Sequence, residues 1–242
     1  MLIWTTLLLA GLVTIDKKFE VAFAHYELLG SNDDGSKFAM RLVGGCGNNP
    51  DEEGETPNAK SECNYPRTSG RCTSSVSLFT CVVDGACHRY PVYEKFSCTS
   101  FDKAKENLAR AKTAIAERGI TLDTALQLPL LQNGSAKIPA TVFESLGLTT
   151  EVSATVRNFR SADADAVDNP YALSFSAKGL GSLQIPQMGI NCEQLCYPGL
   201  RTIFVSSNQK LILAHAILGY TEVVIAEKTE TIARTLLAKR KR

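Results

Sequence analysis

The sequence predicts an α+β fold built mainly from antiparallel β hairpins, with one amphipathic helix at about 101–118 and a disulfide-rich N-terminal half. Three observations predict it. Apolar segments alternate with Asn/Asp/Gly turns along much of the chain. One stretch, Phe101, Ala104, Leu108, Ala111 and Ile115, repeats at helical spacing. The chain has eight cysteines, six of them between Cys46 and Cys98.

The hairpins follow in order. Val21, Phe23 and Leu28-Leu29 lead into the turn Ser31-Asn32-Asp33-Asp34-Gly35-Ser36, and Lys37 to Val43 return from it. Gly44 to Arg71 is rich in Gly, Pro, Asn and Glu and reads as a long loop. Its acidic centre Asp51-Glu52-Glu53-Gly54-Glu55 lacks the alternating ligand spacing of a calcium loop. Val76 to Val83 and Tyr90 to Phe96 flank a second turn at Asp84-Gly85. The helix follows, with Ser100 placed to cap it and Gly119 to stop it. Pro139 to Gly147 reads as a short helix with Pro at its start and Gly at its end. Strands return at Glu151 to Phe159 and Tyr171 to Phe175, around an Asp/Ala-rich loop. A last hairpin, Thr202 to Val205 and Leu211 to Ala214, turns at Ser206-Ser207-Asn208, and Glu222 to Ile225 adds a strand. Strands on both sides of a central helix indicate α+β rather than alternating parallel units.

Compartment is read from two features. Leu2 to Ile15 is an uncharged apolar run, shorter than the about 20 residues a membrane-spanning helix needs. Ala22-Phe23-Ala24 follows it in the A-x-A pattern of signal-peptide cleavage. Residues 1–24 are therefore expected to be a signal peptide and 25–242 one exported domain, with 46–98 a cysteine-rich subregion and 239–242 a basic tail. The competing readings are a buried strand or an uncleaved anchor. No Lys or Arg precedes the run, and Asp16-Lys17-Lys18 and Glu20 crowd the cleavage region.

Cys46, Cys63, Cys72, Cys81, Cys87, Cys98, Cys192 and Cys196 are expected to form disulfides, since no C-x-x-C pair supplies the tight spacing of a zinc site. Two local pairs suggest themselves: Cys81 with Cys87 across the Asp-Gly turn, and Cys192 with Cys196. The remaining connectivity is open.

Chemistry is sparse. His25, His88 and His215 lie in or beside strands without a nucleophile motif; His215, among Ala214, Ala216 and Ile217, suggests partial burial. Asp123-Thr124-Ala125 departs from the Asp-Thr-Gly of aspartic proteases and has no second copy. Asn133-Gly134-Ser135 matches N-x-S and reads as a turn. A net charge of +1 argues against a polyanion binder, so no nucleic-acid partner is expected. No catalytic residue, metal site or cofactor is assigned. Partners are left as an envelope protein or a small ligand, with no stable membrane span in the mature chain.

Phe23-Ala24-His25-Tyr26-Glu27-Leu28-Leu29-Gly30-Ser31, the turn Asp33 to Ala39 and the helix ending Ala114 to Ile120 resemble, in order of parts, a family of uncharacterised bacterial predicted secreted proteins. The resemblance implies export and lends no activity. The turn Asp34 to Ala39 also looks like one blade motif of TolB-type propellers, but a propeller needs it repeated and one copy is present. The expectation is an exported, disulfide-stabilised binding or structural module of the periplasm or medium. The alternative is an extracytoplasmic hydrolase or thiol-redox enzyme without a recognisable motif.

Overall fold

A computed structural model of the chain describes residues 25–45, 73–94, 99–158, 171–187, 199–218 and 221–239. The strands are β1 His25–Ser31, β2 Lys37–Gly45, β3 Thr73–Val82, β4 Cys87–Glu94, β5 Thr121–Leu122, β6 Leu126–Leu128, β7 Ala136–Ile138, β8 Val152–Asn158, β9 Tyr171–Ala177, β10 Gly181–Gln187, β11 Gly199–Val205, β12 Leu211–Leu218 and β13 Thr221–Lys228. Two α-helices, α1 Phe101–Glu117 and α2 Thr229–Ala238, complete them. Three sheets result, ordered β4-β3-β2-β1-β5, β10-β9-β8-β7 and β13-β12-β11-β6. The expected mainly antiparallel hairpin architecture is present; every pairing whose register is resolved is antiparallel.

The chain divides into two compact units. Of the described residues, 25–27, 40–45, 73–80, 87–94 and 99–117 form the first. There α1 lies along β4. Its apolar positions Leu108, Ala111 and Ile115 are buried while Lys103, Lys105, Glu106 and Arg110 face solvent. The Ser100 hydroxyl accepts the Lys103 N–H at 3.3 Å, capping the helix as expected. Asn107 Nδ2 donates to the Val92 carbonyl at 3.3 Å, fixing α1 against β4.

The second unit holds 28–39, 81–86 and the described residues from 118 on. Gly119, at φ +68°, stops α1. Two four-stranded sheets face each other across one core: Ile203, Val205, Ile212, Ala214 and Ile225 on one side, Ile138, Val152, Ala154, Leu173 and Phe175 on the other. Alternate residues of each strand point inward because side chains alternate across a sheet. Ile232, Ala233 and Leu236 of α2 and Val142, Phe143 and Leu148 close the same core. Residues 211–216 of β12 are buried throughout, so both faces of that strand are covered. Pro186 sits in β10, an edge strand, where proline is tolerated.

The expectation of a single helix is corrected by α2, which directly follows a strand. Its N-cap, Lys228, makes no side-chain cap, so it lacks the usual start signal. Lys239, the first residue of the expected basic tail, donates its ammonium to the Ser182 carbonyl. The short helix expected at Pro139 to Gly147 is a pair of 3-10 turns, Ala140–Val142 and Glu144–Leu146, with Pro139 before the first and Gly147 after the second. β10 and the short strands β5, β6 and β7 were not anticipated. Among the described residues no helix is long and apolar enough to cross a membrane.

Candidate functional site

Polar side chains of the second unit concentrate where three hairpin turns meet the junction of β13 and α2. The turns are Asn32–Ser36, Cys81–Ala86 and Ser206–Lys210. Their residues are those a reversing chain requires. Asp84 and Gln209 both take φ +58°, and Gly35 takes φ +69°.

Asn208 organises the cluster. Its Oδ1 accepts the Ser206 hydroxyl at 2.7 Å, the Lys210 N–H at 3.1 Å and the Ser31 hydroxyl at 3.2 Å. Its Nδ2 donates to the Asn32 carbonyl at 3.0 Å. The turns approach so closely that a Cβ on Gly35 would lie 2.7 Å from the Lys210 carbonyl oxygen. The Val83 N–H donates to the Ser36 carbonyl at 2.9 Å, bringing in the third turn. At the helix start, the Thr229 N–H and hydroxyl donate to the carbonyls of Lys210 and Gln209 at 3.1 and 2.8 Å.

Charge is arranged around these bonds. Asp34 accepts the hydroxyl and N–H of Ser36 at 2.6 and 3.1 Å and pairs with Lys228 at 3.2 Å. The Ser36 hydroxyl above all, then its N–H and Lys228, hold the Asp34 carboxyl well below the usual carboxylate range. Glu227 is the opposite case. It is 8% exposed and lies across β13 from Ile212. Burial, aided by the negative charge of Asp84, pushes its carboxyl up, against the Lys228 N–H at 2.9 Å and the Thr231 hydroxyl.

The expected site residues are distributed as follows. Cys81 and Cys87 are joined by a disulfide, as the Asp-Gly turn between them suggested. Cys46, Cys63, Cys72, Cys98, Cys192 and Cys196 lie outside the described residues, as do the A-x-A segment and the Gly44–Arg71 loop except for Gly44 and Gly45. His88 is exposed on β4, its ring edge-on to Tyr90 with centroids 4.7 Å apart. His215 is buried on β12, and His25 opens β1. Asp123 is exposed and its carboxylate accepts the Thr124 N–H next to it, a local turn. Asn133 accepts the Ser135 hydroxyl and N–H and forms the expected turn. Among the described residues no three of His, Cys, Asp or Glu gather closely enough to hold a metal ion.

Sequence reasoning missed Asn208, Lys228 and Glu227. Asn208 was visible as a turn residue, but its partners lie far off in the chain. Glu227 carried little signal, since its strand Thr221–Lys228 also holds Glu222 and Lys228. Comparison with protein-family models, with curated proteins and with solved structures finds no match for this chain.

Proposed function

We infer that the chain is an exported, disulfide-stabilised protein of the bacterial periplasm or extracellular medium, acting as a non-catalytic binding or structural module. The observation that carries this reading is the Cys81–Cys87 disulfide closing the β3–β4 turn. Disulfides persist in oxidising compartments and are rare where thiols are kept reduced. The apolar run Leu2 to Ile15 and the A-x-A pattern point the same way, as does the resemblance to bacterial secreted proteins.

The turn cluster supports a structural rather than a chemical role. Its acceptors are already engaged by neighbouring donors, and Asp34 is committed to Ser36 and Lys228. A partner of such a module is an envelope protein or a small ligand. Expression of the 242-residue chain in a bacterial host, with fractionation and intact-mass measurement, tests the reading. Recovery outside the cytoplasm, shortened near Ala24 and unreactive to thiol alkylation until reduced, supports it. Full-length protein with free thiols in the cytoplasm overturns it.

A further inference from the structure

β13 is the outer strand of its sheet: among the described residues no strand lies beyond it. Its register with β12 runs from Leu211↔Lys228 to Leu218↔Thr221. The Thr229 N–H continues that ladder by donating to the Lys210 carbonyl at 3.1 Å. Along an antiparallel strand, residues that bond the partner alternate with residues that do not. Thr229 therefore fixes the rest. Glu227, Ile225 and Val223 turn their N–H and C=O toward β12, and Lys228, Ala226, Val224 and Glu222 turn theirs outward. The Glu227 carboxylate accepts the Lys228 N–H at 2.9 Å, which closes that end of the edge. The outward N–H and C=O of Val224 and Ala226 have no backbone partner among the described residues.

An open edge is a template for another strand. The other outer strands are poor templates: β10 and β4 hold Pro186 and Pro91, and β5, β6 and β7 are two or three residues long. β13 is eight residues long, has no proline and carries Val223-Val224-Ile225-Ala226 at its centre.

We propose that β13 pairs with β13 of a second copy of the chain, antiparallel about a two-fold axis at Ile225, so that the sheet runs on through both copies. The occupant follows from the register. A continuous sheet needs a two-fold axis perpendicular to it, because only then do both copies keep the same face inward. Each residue then meets the one equally far beyond the axis: Val224 meets Ala226, and Glu222 meets Lys228. Both the backbone and the charges are satisfied in this register. Val224 and Ala226 exchange two N–H···O bonds on each side of the axis, and residues of opposite charge face each other at both ends. An axis at Val224 sets Glu222 against Ala226, and an axis at Ala226 sets Lys228 against Val224; neither pairs the charges. Lys228, 3.2 Å from Asp34, has a side chain 30% exposed and remains within reach of a second carboxylate.

The test uses the full chain with its disulfide intact, in a dilution series at neutral pH. Sedimentation reads the association, and amide hydrogen exchange reads the edge. The expected result is a monomer–dimer equilibrium in which exchange at the Val224 and Ala226 N–H slows as concentration rises. The Ile225 N–H, bonded to β12, is protected throughout. Ala226→Pro removes only an outward N–H, so the monomer keeps its ladder to β12. It deletes two hydrogen bonds from the symmetric pair and is expected to raise the dissociation constant by about tenfold or more. Glu222→Lys sets like charges against each other and is expected to weaken the dimer; Glu222→Lys/Lys228→Glu is expected to restore it. If Ala226→Pro does not fold, the two charge variants decide. A chain monomeric at every concentration, or a dimer indifferent to these substitutions, overturns the proposal. So does protection of Val224 and Ala226 that is independent of concentration, since the edge is then covered within the chain.

Discussion

Asn208 donates its side-chain N–H to the backbone carbonyl of Asn32 across 176 positions of sequence, at 3.0 Å. That bond joins the tip of the β1–β2 hairpin to the tip of the β11–β12 hairpin. The same side chain closes its own turn through Ser206 and Lys210. One residue thus fixes a local turn and a long-range contact, and its removal breaks both.

Asn208→Ala is expected to lower stability by about 1–2 kcal/mol, because the side chain is solvent-exposed and water replaces some of the lost bonds. Asn208→Asp keeps the acceptor for Ser206 and Lys210 but sets a carboxylate oxygen against the Asn32 carbonyl, so stability is expected to fall there too. Urea midpoints at unchanged slope measure both.

Gly35 and Gly134 share φ +69°, but only Gly35 is crowded, by Lys210. Gly134→Ala is expected to cost about 1 kcal/mol, the strain of a Cβ in a left-handed conformation. Gly35→Ala adds a backbone clash and is expected to cost at least about 1 kcal/mol more. Equal losses in the two variants contradict the close approach of the turns.

Thr80 is completely buried on β3 and its hydroxyl makes no hydrogen bond among the described residues. Thr80→Val keeps the shape and deletes the buried polar group, so it is expected to be neutral or to stabilise by about 1 kcal/mol. A loss above about 1 kcal/mol in thermal or urea unfolding means the hydroxyl has a partner.

Asp34 and Glu227 shape the pH profile in opposite senses. The Asp34 carboxyl is held below its ordinary range, so its contribution to stability is present above the ordinary aspartate value and is lost as pH falls. Asp34→Asn is therefore expected to be less stable than the parent at neutral pH, with the two converging in strong acid. A constant difference at every pH contradicts the Ser36 and Lys228 pairing.

Much of the fold was legible because local chemistry and tertiary environment agree. The α1 stripe at Leu108, Ala111 and Ile115, the Ser100 cap and the Gly119 stop need only neighbouring residues, and all appear. The Asp-Gly turn likewise foretold the Cys81–Cys87 pair. α2 was hidden because its apolar face, Ile232, Ala233 and Leu236, is short, and its start lacks a side-chain cap. β5, β6 and β7 are two or three residues long, too short to show a period. The turn cluster was illegible for a different reason. It joins residues near positions 32, 84, 208 and 228, and no spacing rule connects turns that meet only after the sheets have formed. Glu227 did not stand out, because β13 also carries Glu222 and Lys228 and no spacing marks one carboxylate as the buried one.

The disulfide on which the proposal of an exported chain rests is tested most directly by a peptide map of the native protein under non-reducing conditions, after alkylation without reductant. The account predicts a Cys81–Cys87 linked peptide, unalkylated until reduction, and a stability loss of about 2 kcal/mol in the Cys81→Ser/Cys87→Ser double variant, the value of closing a short loop. Alkylation of both cysteines in the unreduced native protein contradicts it.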